Sequence, residues 1–366
     1  MNIKIPVYEP VLGAAERENV LRCLDTNWIS SRGEFINAFE TEFAQYTGVQ
    51  HAISVSNGTV ALHLALLALD IGPGDEVIVP TFTYVASVNA IAYVGATPVF
   101  VDSLADTWQM DPADIERKIT AKTKAIMAVH LYGQPADMHA IAAIAERRGV
   151  QVIEDAAEAF GSRIGSTHVG SFGVVSTYSF FGNKTITTGE GGMVVTNDSA
   201  LDAKIRKLRG QGLAGTKEYW HDVVGYNYRM TNICASIGVA QLRRADELIE
   251  RKRTLASWYA RGLAGVPVTV LGEQRGTTNS YWMNCIATRT GEEREALRAH
   301  LRAQGIETRP TFYPAHTMPM YTQWASDDYP VAQTLSERGI NLPSSPALTE
   351  ESVRFVVGAI KEFFKA

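Results

Sequence analysis

The chain has 366 residues, which is long enough for a large hydrophobic core and for more than one lobe. Apolar residues make up 46% of the sequence and charged residues 20%, a composition typical of soluble globular proteins. The formal net charge of −5, without any block of basic residues, argues against nucleic acid as a partner.

The N-terminal sequence MNIKIPVYEP lacks the apolar core and the small-residue cleavage site of a signal peptide. No apolar run in the chain reaches the length needed to cross a membrane. We therefore expect a cytoplasmic protein that does not bind to a membrane. The scattered cysteines, Cys23, Cys234 and Cys285, fit neither a disulfide framework nor a zinc site, and no metal is predicted.

From about residue 57 to 200, short apolar runs alternate with patterns of helical period. Strands are predicted at 77–80, 97–102, 125–130, 150–155, 175–180 and 192–196, with clear helices at 60–69 and 138–148. Strands that alternate with helices predict an α/β fold, in which helices sandwich a mostly parallel mixed sheet. Ligands of such sheets bind outside the carboxyl ends of the strands, so polar residues at those ends are the candidates for a site.

A long helical pattern from Ala245 to about Leu263 leads into a region of different character. There the pattern predicts a strand over 281–287, a helix over 292–304 and a last helix that starts near Thr349. We therefore predict a large α/β domain over residues 1–245 and a smaller α+β domain over residues 246–366.

The turn Ser56-Asn57-Gly58-Thr59 immediately precedes the helix predicted over 60–69. Free backbone N–H groups and the positive end of the helix dipole would suit a phosphate group there. Taken alone, a plain N-cap is the commoner explanation, because serine and asparagine are favoured caps.

The strand at 150–155 ends in two carboxylates, Glu154 and Asp155. A carboxylate that is buried at a strand end needs a partner, and a cationic ring nitrogen would be one. For Asp155 alone, the cap of a following helix is the simpler explanation.

Lys184 lies among aromatic and small residues in the stretch SFFGNKTITTGEGG, residues 179–192. Desolvation would lower the pKa of such a lysine and make it a better nucleophile, although a loop lysine packed on phenylalanine is the ordinary alternative. Together, a phosphate-binding turn, an acid for a ring nitrogen and a sheltered lysine are what pyridoxal 5′-phosphate requires.

Longer motifs occur along nearly the whole chain. They are WISS at 28–31, SNGTVALH at 56–63, PTFTY at 80–84, EDAAEA at 154–159, SFFGNK at 179–184, GEGG at 189–192, NYRMTN at 227–232 and RP at 309–310. In these motifs the chain resembles the DegT/DnrJ/EryC1/StrS sugar aminotransferases. The resemblance implies the fold of type I pyridoxal-phosphate-dependent transferases.

The resemblance also implies a role for each matching residue. Lys184 matches the lysine that bonds covalently to the cofactor, and Asp155 matches the acid that pairs with its ring nitrogen, so these two are the predicted catalytic residues. The other cofactor contacts that it implies are Gly58, Thr59 and Ser179 at the phosphate, Tyr84 on the ring, Glu158 near the phenolic oxygen and Asn227 at the phosphate of a neighbouring subunit. The role of Asn227 implies a homodimer with shared sites and leaves larger assemblies open.

The reaction that the resemblance implies moves the amino group of L-glutamate to C4 of a nucleotide-linked 4-keto-6-deoxyhexose. The stretches 219–222 and 309–316 resemble members that use a GDP-linked sugar, while a UDP- or dTDP-linked sugar stays open because no residue reads guanine unambiguously. The predicted substrate contacts are Trp28, Arg32, Trp220, Arg309, Tyr313 and His316, with a structural ion pair as the alternative for Arg309. A non-catalytic regulator is the remote alternative, against which Lys184 argues.

Overall fold

The computed structural model describes residues 3–365. Its helices are α1 (Ala14–Asp25), α2 (Glu34–Thr47), α3 (Gly58–Ala68), α4 (Val85–Tyr93), α5 (Pro112–Lys118), α6 (Met138–Arg148), α7 (Ser199–Arg209), α8 (Asn232–Arg243), α9 (Ala245–Gly262), α10 (Gly291–Ala303), α11 (Pro330–Arg338) and α12 (Glu350–Phe363). Its strands are β1 (His51–Val55), β2 (Glu76–Pro80), β3 (Thr97–Val101), β4 (Thr123–Val129), β5 (Gln151–Asp155), β6 (Arg163–Ile164), β7 (Thr167–His168), β8 (Val175–Ser179), β9 (Gly192–Thr196), β10 (Thr269–Val270), β11 (Thr277–Thr278), β12 (Asn284–Ala287), β13 (Arg309–Pro310) and β14 (Gly339–Leu342).

The largest sheet has seven strands in the order β1-β9-β8-β5-β4-β2-β3. Neighbours from β8 to β3 pair in parallel, whereas β9 runs antiparallel to both β8 and β1. Parallel strands need crossover connections, and helices α4, α5 and α6 supply those from β2 to β3, β3 to β4 and β4 to β5, whereas the connection from β5 to β8 contains the short strands β6 and β7. The predicted α/β class with a mostly parallel mixed sheet is confirmed.

Helices cover both faces of this sheet, as neighbouring residues of β9 illustrate. Val194 belongs to a hydrophobic cluster with Leu64 of α3, while Val195 belongs to another cluster with Phe39 of α2. Successive side chains of a strand point to opposite faces, so both faces of β9 are buried. This double burial explains why the strands read as continuous apolar runs in the sequence.

The C-terminal region contains a four-stranded antiparallel sheet in the order β10-β12-β14-β13. Helix α9 joins the two regions, because Leu248 near its start packs in a core with α2, and Tyr259 near its end packs in a core with α12. Other C-terminal residues, among them Trp282 and Tyr329, pack in the core on one face of the large sheet. The division at residue 245 stays a prediction, and the two regions share a hydrophobic core.

The structure differs from the predicted elements in several places, and it contains elements that were not predicted, such as α1, α2 and β14. The strand predicted over 281–287 begins at Asn284, because Tyr281 adopts a positive φ of 49° and donates its N–H to Asn279 Oδ1. The short edge strand β1 was not predicted. Within residues 3–365, no helix has the length and apolar character needed to span a membrane.

Candidate active site

A cavity of 630 Å³ opens at the carboxyl ends of β2, β4, β5 and β8, where ligands of α/β sheets bind. The large-sheet region lines it with the turn into α3, the loop after β2 and the loops after β5 and β8. Trp282, Met283, Phe312 and Asn341 line it from the C-terminal region. The predicted site residues among its lining are Gly58, Thr59, Tyr84, Asp155, Glu158, Ser179, Lys184 and Arg309.

Lys184 lies in the turn that follows β8. The turn is closed by a hydrogen bond from the Lys184 N–H to the Phe181 carbonyl, and Tyr8 Oη donates to the Lys184 carbonyl at 2.7 Å. Lys184 Nζ lies 3.9 Å from the centre of the Trp282 ring and 3.9 Å from Glu158 Oε1. Burial lowers the pKa of Lys184, although Glu158 and Asp155 oppose this shift. A lowered pKa favours the free amine, which is the nucleophilic form.

Asp155 is the last residue of β5, and 4% of its surface is exposed. Ser87 Oγ donates to its Oδ2 at 2.7 Å, and the Ala157 N–H donates to its Oδ1 at 3.1 Å. Burial raises the pKa of Asp155, while these two donors and the charge of Lys184 oppose that shift. Two hydrogen bonds therefore orient the carboxylate, but it has no strong cationic partner of its own. Such a carboxylate is suited to bind a cationic ligand.

Glu158 follows in the same loop and is also buried. Its Oε2 accepts a hydrogen bond from the Tyr132 N–H at 2.9 Å, and its Oε1 faces Lys184. Burial raises the pKa of Glu158 to about 7, against the attraction of Lys184. The raised pKa favours the protonated form of this side chain, which can donate a hydrogen bond to a ligand oxygen.

Glu154, next to Asp155, points to the other face of the sheet and has a structural role. Its oxygens accept from the His130 ring at 3.0 Å and from the N–H groups of Gly170, Phe172 and Gly173 at 2.6–2.7 Å. Burial works to raise the pKa of Glu154, but His130 and these donors outweigh it, so the pKa is lowered. Of the two carboxylates at this strand end, only Asp155 lines the cavity.

The start of α3 lines part of the cavity. Asn57 Oδ1 caps the helix by accepting from the Val60 N–H at 3.0 Å, which leaves the amides of Gly58 and Thr59 at the helix mouth. A Cβ on Gly58 would come within 2.8 Å of the Ser179 Cβ. The missing side chain thus allows the Ser179 hydroxyl and the helix N-terminus to face the same small space, which suits a phosphate group.

The aromatic side chains of Tyr84, Trp282 and Phe312 line part of the cavity. The buried ring of Tyr132 packs against Trp282, at 6.1 Å between ring centres, and against Phe312, at 5.2 Å. Tyr84 is 57% exposed and tilts toward Phe312 at 5.6 Å, so its ring is available to a planar ligand. A flat, apolar surface next to Asp155 and Lys184 fits an aromatic cofactor.

Several residues of this site were missed by the sequence analysis. Ser87 lies in α4, outside the motifs, and Trp282 comes from a distant part of the chain. Tyr132 acts through its backbone amide, which leaves no signature in the side-chain sequence. A search for hydroxyl residues in the helix after PTFTY could have found Ser87, but no local signal marks Trp282.

The other predicted site residues lie outside the cavity within this single chain. Trp28 and Arg32 are exposed between α1 and α2, and Trp220 is 54% exposed in the loop before α8. His316 Nδ1 is engaged by Thr81 Oγ1 at 2.7 Å, and Tyr313 is 56% exposed beside it. Their roles, like that of Asn227, whose Oδ1 accepts from Arg229, stay predictions. The ion pair weighed for Arg309 is weak, since its Nη2 lies 3.9 Å from Glu307 Oε1.

The residues present fit pyridoxal 5′-phosphate. The turn at Gly58 and Ser179 provides an anion site, Asp155 provides an acid that lacks a strong cationic partner, and Lys184 provides a desolvated amine. Among residues 3–365, no group of three or more histidine, cysteine, aspartate or glutamate side chains is arranged to hold a metal ion. The cavity therefore meets the needs of an organic phosphate cofactor from its own side chains.

Comparisons with known proteins agree with the fold. The profile of the DegT/DnrJ/EryC1/StrS aminotransferase family matches residues 10–361. GDP-perosamine synthase of Escherichia coli O157:H7 is 59% identical over 360 residues, covering 98% of both chains. GDP-perosamine synthase of Vibrio cholerae is 52% identical over 363 residues, covering 98% of this chain and 99% of the relative.

A solved structure has the same fold as this chain. The putative sugar aminotransferase Spr1654 of Streptococcus pneumoniae, in its PLP form, superposes with a TM-score of 0.94. The two chains are 30% identical, and the match covers 100% of this chain and 99% of that one. The resemblance seen in the motifs is confirmed, and the chain belongs to the DegT/DnrJ/EryC1/StrS aminotransferase family.

Proposed function

We propose that this protein is a pyridoxal-phosphate-dependent aminotransferase that converts GDP-4-keto-6-deoxy-D-mannose to GDP-perosamine, with L-glutamate as the amino donor. The main support for this choice of sugar is the 59% identity to a GDP-perosamine synthase over nearly the whole chain. A cytoplasmic location and a homodimer with shared sites belong to the same proposal.

The reaction exchanges an amino group for a carbonyl oxygen in two halves. Glutamate leaves as 2-oxoglutarate in the first half, and the keto sugar gains the amino group at C4 in the second half. Bound pyridoxal phosphate supplies the carbonyl carbon that carries the amino group between them, and the ring that takes up the electron pair left on proton removal.

Lys184 holds the cofactor covalently at rest and acts as acid and base during turnover. Its Nζ is placed on the Trp282 ring, away from bulk water, and burial keeps its amine ready to accept a proton. Once free of the cofactor, Nζ would take the α-proton of glutamate and deliver it to the cofactor carbon that carries the amino group. The same atom performs the reverse transfer on the sugar.

Asp155 would keep the ring nitrogen of the bound cofactor protonated, because a buried carboxylate without a strong cationic partner favours a protonated neighbour. Ser87 orients that carboxylate through its hydrogen bond of 2.7 Å. When the cofactor is bound, Glu158 would lie near its phenolic oxygen, Gly58 and Ser179 would hold its phosphate, and Tyr84 would pack on its ring. Arg309 lines the cavity and suits the carboxylate of glutamate or the diphosphate of the sugar, because its fork binds either with two hydrogen bonds.

Transamination of a UDP- or dTDP-linked sugar is the nearest competing function, and no described side chain distinguishes guanine. A panel of GDP-, UDP- and dTDP-linked 4-keto-6-deoxy sugars, incubated with L-glutamate and analysed by mass spectrometry, tests the proposal. We expect the amino sugar to form fastest from the GDP-linked ketone. Faster turnover of a UDP- or dTDP-linked ketone would refute the GDP assignment.

The role of Lys184 has its own test. Purified protein should be yellow, and borohydride should fix the cofactor onto a peptide that contains Lys184, as peptide mass spectrometry can show. K184A should lose both this fixation and turnover, whereas K122A, at an exposed lysine before β4, should keep both. Full activity in K184A would show that Lys184 has been assigned the wrong role.

A further inference from the structure

A second lysine, Lys252 of α9, is completely buried close to the cavity. Its Nζ donates to the Trp282 carbonyl at 3.0 Å and to the Ser344 carbonyl at 2.9 Å, and it lies 4.9 Å from the centre of the Tyr8 ring. Within residues 3–365 it forms no ion pair with a carboxylate, which is unusual for a buried lysine.

The charge state of Lys252 agrees with this environment. Burial lowers its pKa to about 7, so the side chain is readily neutral. A neutral amine still has two N–H groups, and two carbonyls accept them. The site is therefore satisfied as a pair of hydrogen bonds and does not depend on an ion pair.

Two contacts of Lys252 lead to the catalytic lysine. Tyr8, whose ring lies under the Lys252 amine, donates its hydroxyl to the Lys184 carbonyl at 2.7 Å. Trp282, whose carbonyl binds the Lys252 amine, donates Nε1 to the Asn183 carbonyl at 2.7 Å and places its ring 3.9 Å from Lys184 Nζ. Tyr8 thus fixes the backbone of Lys184. Trp282 fixes the turn at Asn183 and also the position of the Lys184 amine.

We propose that Lys252 is a positioning residue for Lys184, acting through Tyr8 and Trp282, in the aminotransferase reaction of the proposed function. Removing the amine leaves the Trp282 and Ser344 carbonyls buried without a donor, and such groups seek another arrangement. Any shift of the Trp282 backbone moves the ring against which Lys184 Nζ packs. Small displacements of a catalytic group are costly, because proton transfer depends on distance and alignment.

The competing explanation is that Lys252 merely ties α9 to the C-terminal sheet. K252M keeps the length of the side chain and removes its donors, and R251M is the matched control, one residue away on the exposed side of α9. The readouts are the pH titration of the visible absorption band of the bound cofactor, and kcat and KM for the glutamate half-reaction. The titration needs only bound cofactor, so it stands even if the sugar has been assigned wrongly.

For K252M, we expect the titration midpoint to move to higher pH, because the Lys184 nitrogen loses part of its burial. We also expect kcat to fall about tenfold to a hundredfold with a smaller change in KM. R251M should match the wild type. An unchanged midpoint in K252M, with or without a loss of kcat, would overturn the proposal.

If K252M does not fold, Y8F decides the question. This variant keeps Lys252 and its two carbonyl bonds but removes the hydrogen bond to the Lys184 carbonyl. It should move the midpoint and kcat in the same direction by a smaller amount. A Y8F enzyme that titrates and turns over like the wild type would refute the coupling to Lys184.

Discussion

Asp155 is oriented by a single side chain, Ser87, and this makes the pair a sharp target for substitution. The Ser87 hydroxyl stabilises the ionised carboxylate, so S87A should raise the pKa of Asp155 further. The reaction needs the ionised form, which exists above that pKa. As the pH is lowered, S87A should therefore lose activity at a higher pH than the wild type does. The acidic limb of its pH profile should move up by about one pH unit, equivalent to about 1.4 kcal/mol.

The pH dependence of kcat for the glutamate half-reaction, measured from acidic to mildly basic pH, checks this expectation. The basic limb should stay in place, because Lys184 has no contact with Ser87 in the hydrogen-bond network. An acidic limb that coincides with that of the wild type would show that another group controls it.

How far single residues could be predicted depended on what marks them in the sequence. Asp155 ends an apolar strand and Lys184 follows another, and the topology of α/β sheets brings such positions together. Trp282 could not be predicted, because its contact with Lys184 depends on how the C-terminal region packs on the large sheet. Tyr132 reaches Glu158 through its backbone amide, which any residue except proline would supply.

Helix α3 depends on one glycine at its start, and the prediction at this scale concerns that position. In G58A, the new Cβ would meet the Ser179 Cβ at 2.8 Å and would separate the helix N-terminus from the β8 loop. The phosphate site would lose its shape while the helix itself tolerates alanine well. We expect the Kd for pyridoxal phosphate to rise about tenfold or more, equivalent to about 1.4 kcal/mol.

Titration of the apoprotein with pyridoxal phosphate, followed by protein fluorescence, measures this change. G182A is the matched control, because Gly182 lies in the neighbouring turn and a Cβ there meets no atom within 4 Å. Equal affinities of G58A and G182A would place the phosphate elsewhere.

At the level of elements, apolar runs predicted the central strands well because those strands are buried on both faces. The boundary of β12 was wrong because Tyr281 turns the chain with a positive φ, which its own sequence does not announce. Helix α9 was predicted by its period, but its double role in two cores was not. That role depends on which neighbours each turn of the helix meets.

At the scale of the whole molecule, an exposed apolar loop suggests that a second copy of the chain completes the proposed site. Residues 211–228 form an extended loop that exposes several large apolar side chains, namely Leu213, Tyr219, Trp220, Val223 and Val224. Exposed apolar clusters of this kind mark protein interfaces. Asn227 ends this loop and does not line the cavity of its own chain, which supports the proposal that it serves the site of a second copy.

Subunit mixing tests whether the sites are shared. N227D would place a negative charge beside the phosphate of the neighbouring site, and K184A would remove the amine, so each homodimer should be inactive. If Asn227 acts in the partner, a mixed dimer carries both defects in one site and none in the other. Random exchange between equal amounts of the two variants would then restore about a quarter of wild-type activity, since closed twofold dimers form statistically. If Asn227 acts within its own chain, every site of the mixed dimer keeps one defect and activity stays absent, even though mass spectrometry detects the mixed dimer.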